Sequence, residues 1–204
     1  METANHVKLY RVAVLASMAG GNFQSVVEKS QRYGYQVVRL IVNKQCGAIA
    51  KAERLRVPCT VIEKKGNELF DDIDNILSAD DIDLIVLAGF LPIVPAWFCD
   101  EWRNKIINLH PSLLPDYGGK GMYGIHVQEA VMAAKEKYAG CTVHYVNAGI
   151  DAGEIIEQWK IPVDYSLTPW ELNDEIYDRG IEMLPMVIGT LAKKKIAALK
   201  IVDN

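Results

Sequence analysis

Leu84-Ile85-Val86-Leu87-Ala88 is an unbroken apolar run of strand length, the pattern of a strand covered on both faces in the middle of a parallel sheet. Working outward from it, comparable runs stand at Leu9 to Ala16, Val37 to Val42, Lys105 to Leu109 and Cys141 to Val146. Segments with helical spacing, such as Phe23 to Tyr33 and Glu68 to Ser78, separate them, so the alternation predicts an α/β fold. Cys141 to Val146 followed by Ile155 to Pro162 reads as a later antiparallel pair nearer solvent. The sheet is then mixed, mostly parallel and central, with an antiparallel C-terminal portion and helices on both faces. Thr168-Pro169 supplies an N-cap and a first-turn proline for a long amphipathic stretch through Lys195, which Gly180 and Pro185 bend or interrupt. A short closing strand is expected at Ala198 to Val202. No repeat, low-complexity tract or linker marks a boundary, so residues 1–204 are expected to form a single domain.

The 204 residues carry 22 Lys and Arg against 26 Asp and Glu, a net charge of −4, with 50% hydrophobic and 24% charged residues. That balance excludes a disordered chain, and it provides no broad basic field for nucleic acid or an anionic membrane. Cys46, Cys59, Cys99 and Cys141 lie far apart without metal-ligand spacing and are expected to be reduced, mostly buried thiols. Met1 to Val7 has no cationic segment leading into an apolar run, and no stretch reaches the roughly 18 to 20 apolar residues of a spanning helix. A cytoplasmic location follows.

Polar residues gather at the ends of the strand runs. Ser17-Met18-Ala19-Gly20-Gly21-Asn22 leads from the first strand into a helix. Its glycines either let backbone and free N–H groups approach a phosphate or simply permit a tight turn. In Ile106-Ile107-Asn108-Leu109-His110-Pro111-Ser112-Leu113-Leu114-Pro115, strand period two puts Asn108 and His110 on one side, and Pro111 holds His110 extended. An amide donor beside an imidazole at a strand end suits stabilisation of an oxyanion and movement of a proton; the alternative is a histidine satisfied by backbone. Asp116 to Gly124, rich in glycine and carrying Tyr117, Lys120 and Tyr123, reads as a clamp or a mobile loop. Gly149-Ile150-Asp151-Ala152-Gly153-Glu154 either projects Asp151 into a site or is a plain hairpin turn. His144 reads as structural within its strand, His6 as terminal, His126 as peripheral, and Lys193-Lys194-Lys195 as a solvated helix end. No convincing set of metal ligands emerges.

The Gly20-Gly21-Asn22 turn, Leu87-Ala88-Gly89-Phe90-Leu91, the Asn108 to Pro115 block and Asp151-Ala152-Gly153, in this order, resemble the folate-dependent formyltransferases from about Lys8 to Pro162. The resemblance implies a Rossmann-like fold in which Asn108, His110 and Asp151 are the catalytic trio. It implies 10-formyltetrahydrofolate as formyl donor and the amine of glycinamide ribonucleotide as acceptor, with no metal. It further implies a ribonucleotide phosphate at Gly20, Gly21 and Asn22, and a folate ring near Leu87, Phe90, Val94, Val146 and Ile150. Three positions depart from many relatives: Gly21 stands where they have Ser, Pro92 where they have a basic residue, and Gly180 where they have Glu. The alternatives are hydrolysis of the formyl donor, transfer to another amine, and a folate or nucleotide binder without catalysis. A monomer or homodimer with small-molecule partners alone is expected.

Overall fold

The computed structural model describes residues 9–202, and the readings of Met1 to Val7 and His6 lie outside them. The first strand, β1 (Tyr10–Ala16), divides its residues between two cores. Val12, Val14 and Ala16 face one and Ala13 and Leu15 the other, all fully buried, as period two requires of a strand covered on both sides. Six more strands follow: β2 (Tyr35–Val42), β3 (Cys59–Val61), β4 (Leu84–Leu87), β5 (Ile106–His110), β6 (Tyr138–Tyr145) and β7 (Ile155–Pro162). They form one sheet in the order β3-β2-β1-β4-β5-β6-β7. Pairings from β3 through β5 are parallel, whereas β5 with β6 and β6 with β7 are antiparallel. The expected mixed sheet is the one observed. Strand order reverses between β1 and β4, and ligand crevices of open α/β sheets lie outside the carboxyl ends of strands at such a point.

Helices cover both faces. On one side α4 (Gly66–Ala79) and α5 (Ala96–Glu101) set Leu69, Phe70, Ile73, Leu77 and Phe98 against Ala13, Leu15, Ile41, Ile85 and Ile106. On the other, α1 (Gly21–Glu28), α3 (Gly47–Leu55) and α7 (Pro169–Val202) bring Phe23, Val26, Ala48, Ala52, Leu172, Ile176, Leu184 and Ile188 onto Val12, Val14, Leu40 and Val86. The short α2 (Ser30–Tyr33) continues α1 after a break at Lys29, and α6 (Ile125–Ala133) adds Val131 to the second core. Among the described residues no helix is long and apolar enough to cross a membrane. All four cysteines are free; Cys99 and Cys141 are buried, whereas Cys46 and Cys59 are only partly so.

Helix α7 begins as expected, with a capping box. Glu171 N–H donates to Thr168 Oγ1 at 3.3 Å, and Thr168 N–H donates to Glu171 Oε2 at 2.7 Å. It differs from expectation at its far end. Ala198 to Val202 is helix, not a closing strand, because Ala, Leu and Lys favour helix and no glycine or proline follows Gly189 to stop it. Nor does Pro185 interrupt α7. Lacking an N–H, it deprives Ile181 C=O of its helical donor, and that carbonyl instead accepts from Ser25 Oγ and Lys29 Nζ of the α1–α2 segment. Lys29 also pairs with Glu182. The Lys193 to Lys195 cluster is therefore not a helix end, and Lys195 pairs with Asp83 across to the sheet.

Candidate functional site

Strand β5 carries the centre of the site. Leu87 pairs in register with Asn108, so the end of β4 and the polar end of β5 lie side by side. Ser17, buried at the end of β1, donates N–H to Gly89 O (3.1 Å), and its Oγ accepts from Leu91 N–H (2.9 Å). The turn after β1 and the Gly89 to Val94 segment are thus tied together at the topological switch.

The block after β5 is held by a dense set of bonds. Thr142 Oγ1 donates to Ser112 O (2.6 Å) and accepts from Leu114 N–H (3.1 Å), while Gln158 Nε2 donates to Leu114 O (2.7 Å). Gln128, fully buried on α6, donates Nε2–H to Pro111 O at 2.7 Å. The Leu114–Pro115 peptide is cis. Every anchor lies within seven residues of His110, whose ring is 4% exposed, so the imidazole has little freedom to swing.

Asp151 reaches that ring by an indirect route. Val146 N–H donates to Ile106 O, so the β6–β7 connection leaves the sheet beside the start of β5, not its end. The connection then doubles back over the sheet. A Cβ on Gly153 would fall 1.7 Å from Tyr145 O, so only glycine permits that crossing. Asp151 itself takes a left-handed φ of 53°, and its Oδ2 comes 3.5 Å from His110 Nδ1 while accepting Gly119 N–H at 3.0 Å. His110 Nε2 donates to Tyr117 O at 2.9 Å. A carbonyl thus faces one ring nitrogen and a carboxylate the other, which fixes the plane of the imidazole.

His144, read from the sequence as structural, belongs to this cluster. Register pairs it with Asn108 across β5 and β6. Its Nδ1 donates to Tyr145 O (2.8 Å), which leaves Nε2 to accept Asn108 Nδ2–H (3.2 Å). Burial lowers its pKa below the ordinary 6.5, opposed by the Tyr145 carbonyl and Asp151, so the neutral ring that this pattern needs is favoured. Asp151 Oδ1 is 3.7 Å from His144 Nε2. As a neutral acceptor, His144 leaves the carboxylate to His110 and turns the Asn108 amide so that its second N–H is available for another acceptor. The signal in the sequence was two polar residues, Thr142 and His144, at period two in an otherwise apolar strand.

The remaining expected residues divide by role. Leu87 and Val94 are buried in the core containing α4 and α5; Phe90 and Val146 pack against it half-buried, and Ile150 is exposed. Phe90 meets Phe70 edge-on at 6.2 Å. Gly20 caps α1 with φ 75° and no side-chain bond, so the N–H groups of the first turn are left without a side-chain cap. Pro92 is half-buried and provides no charge. Gly180 lies against Leu109, between Asn108 and His110 in the chain, and a Cβ there would meet Leu109 Cδ2 at 2.8 Å. Among the described residues no three His, Cys, Asp or Glu side chains are grouped so as to hold a metal ion.

A family model described as formyl transferase matches residues 10–188. "Phosphoribosylglycinamide formyltransferase, chloroplastic" of Arabidopsis thaliana is 32% identical over 194 residues, covering 91% of this chain and 66% of that protein. "Trifunctional purine biosynthetic protein adenosine-3" of Homo sapiens is 36% identical over 192 residues, covering 91% of this chain but 18% of that protein. The chain therefore spans just under two thirds of the plant relative and a small part of the human one. The crystal structure of phosphoribosylglycinamide formyltransferase from Anaplasma phagocytophilum superposes with a TM-score of 0.84 at 34% identity, covering 92% of this chain and 89% of that one.

Proposed function

The chain belongs to the formyl transferase family, and on that premise we propose that it transfers the formyl group of 10-formyltetrahydrofolate to the amine of glycinamide ribonucleotide. The observation that carries the reading is the meeting of Asn108, His110, His144 and Asp151 in one hydrogen-bonded and charge-paired cluster. The names of the plant relative and the Anaplasma structure support the acceptor.

The mechanism follows from what each group can do. The neutral amine attacks the formyl carbon, forming a C–N bond and placing negative charge on the formyl oxygen. Asn108, its amide oriented by His144, donates to that oxygen, and His110 joins it when its Nε2–H turns from Tyr117 O to the developing oxyanion. Asp151 holds His110 in place through the Nδ1 side. As the bond from carbon to the folate nitrogen breaks, a proton passes from the amine to that leaving nitrogen, with Asp151 placed to hold a relaying water. Leu87, Phe90, Val94, Val146 and Ile150 line the path for the folate ring, and Gly20, Gly21 and Asn22 receive the phosphate on backbone N–H groups. The reading includes a single-domain protein in the cytoplasm, monomeric or homodimeric, acting on small molecules without metal, nucleic acid or membrane.

Incubation with both substrates should release tetrahydrofolate in proportion to formylated ribonucleotide. No turnover above background between pH 6 and 9 overturns the proposal, and formate released without an amine points to hydrolysis.

A further inference from the structure

Helix α6 turns one face into the molecule, and the residues buried on it are Val127, Gln128 and Val131. Two of the three are apolar, as an inward helix face requires. Gln128, although fully buried, is not. The two ends of its amide fare differently. Nε2 donates to Pro111 O at 2.7 Å, whereas Oε1 is enclosed and, among the described residues, receives no donor. Reversing the amide would not mend this, because Pro111 O needs a donor and Oε1 can only accept. One carbonyl is satisfied and another stranded, and a stranded buried acceptor costs at least as much as an ordinary hydrogen bond gains. Stability therefore does not account for a glutamine at this position; what its bond holds in place does.

Pro111 directly follows His110. Its ring locks φ, so ψ is the soft backbone torsion left to it, and a donor on its carbonyl oxygen fixes that torsion and the direction in which the chain leaves β5. The chain so directed soon returns to the site. Tyr117 O accepts His110 Nε2–H at 2.9 Å, and Gly119 N–H donates to Asp151 Oδ2 at 3.0 Å. Beyond those contacts the loop has little to rest on: a Cβ on Gly119, Gly121 or Gly124 would meet nothing among the described residues within 4 Å apart from the adjoining ones. Its placement is set at its base. Gln128 closes that base from the far side, reaching back 17 residues along the chain to Pro111, so the backbone groups that touch His110 and Asp151 hang from a loop tied at both ends.

We propose that Gln128 is a positioning residue of the reaction: by holding Pro111 O it sets the path that brings Tyr117 O onto His110 and Gly119 N–H onto Asp151. This rests on the formyl-transfer reading above.

Gln128→Met keeps the length of the side chain and removes the donor together with the stranded Oε1. Its kcat should fall about ten- to a hundredfold, the effect of a small misplacement of reacting groups, while KM for both substrates stays within about twofold. The urea midpoint should stay close to that of the parent, a split that a packing role alone does not produce. Gln128→Glu is the rescue, since a protonated carboxyl can donate to Pro111 O and an ionised one cannot. Its kcat should approach the parent's at pH 6 and fall away from it toward pH 9. In histidine-labelled protein the His110 imidazole signals, assigned by their loss in His110→Asn, should move in Gln128→Met. Parental kcat in Gln128→Met overturns the assignment, and so does a Gln128→Glu protein as impaired at pH 6 as at pH 9. If Gln128→Met does not fold, the Gln128→Glu profile decides in the same way. If the unaltered protein formylates nothing, the activity reading fails by itself and the imidazole signals decide on Gln128: displaced signals uphold its role, and unmoved ones overturn it.

Discussion

Replacing Gly180 by Ala sets two effects of opposite sign against each other. In a helix interior alanine is favoured over glycine by about 1 kcal/mol, and Gly180 is buried well inside α7. Against this, the added methyl would stand 2.8 Å from Leu109 Cδ2 and 3.6 Å from its Cδ1 and Cγ. The obstacle is the tip of a leucine, so it can yield, but overfilling of this kind costs about 1–3 kcal/mol. Gly180→Ala is thus expected to be between neutral and about 2 kcal/mol less stable than the parent. Leu109→Val removes the atoms in the way. In that background Gly180→Ala should stabilise by the full helix preference of about 1 kcal/mol, so the cycle should show a coupling of about 1–3 kcal/mol. Urea unfolding of the four proteins measures it. Because Leu109 lies between Asn108 and His110, Gly180→Ala should also lower kcat, and Leu109→Val should restore part of the loss. A gain of about 1 kcal/mol from Gly180→Ala with Leu109 intact, and no coupling, would refute the claim that this glycine exists to seat α7 on β5.

Other consequences are open to direct measurement. Asn108→Ala should cut kcat about a hundred- to a thousandfold, the usual effect of removing one oxyanion donor, with folate affinity by fluorescence titration little changed; near-normal turnover would remove Asn108 from the chemistry. His144 has a lowered folded-state pKa, so below pH 6.5 the unfolded chain takes up a proton that the folded chain resists. Stability contributed by its neutral form is complete above 6.5 and declines as pH falls toward the folded value, by at most about 1.4 kcal/mol per pH unit. His144→Gln, which cannot titrate, should show a shallower decline in urea midpoints between pH 7.5 and 5.5, and an identical slope would contradict the assignment. Ser25→Ala removes one of two donors to Ile181 O and should cost about 1 kcal/mol. Combined with Pro185→Ala, which returns a helical N–H to that carbonyl, the loss should shrink; an undiminished loss would mean the proline is not what frees the oxygen.

What could be read from the chain depended on range. The strands β1, β2, β4 and β5 follow from continuous apolar runs, and Asn108 with His110 from two-residue spacing ahead of Pro111, all features carried within a few positions. β3 spans only Cys59–Val61, too short for any period to register, and exists because β2 offers it an edge. Ala198 to Val202 has the composition of either state, and continuation of a helix already formed decided it. The role of His144 depended on which residue of β5 it faces, a matter of register between strands separated by a long connection. Asp151 was legible as a candidate but not its route, since the doubling back turns on the approach of Gly153 to Tyr145 O. Gly21 and Gly180 show the limit most plainly: each is glycine on account of a side chain remote in sequence, Tyr177 in one case and Leu109 in the other.

The fastening of Ile181 has a mechanical sequel. A helix is most compliant where a rung is missing, and here the missing rung is where the neighbouring segment clips on through Ser25 and Lys29. Bending at Pro185 therefore cannot be relieved in α7 alone; it pulls on α1, whose opening turn begins with Gly21. Tyr177 and Gly180 ride on the length of α7 just ahead of the clip, so the wall of the crevice travels with its floor. Substitutions as distant as Val187 or Ile188, by altering how the distal half of α7 rests on the sheet, should be felt at that turn as a shift of the whole assembly.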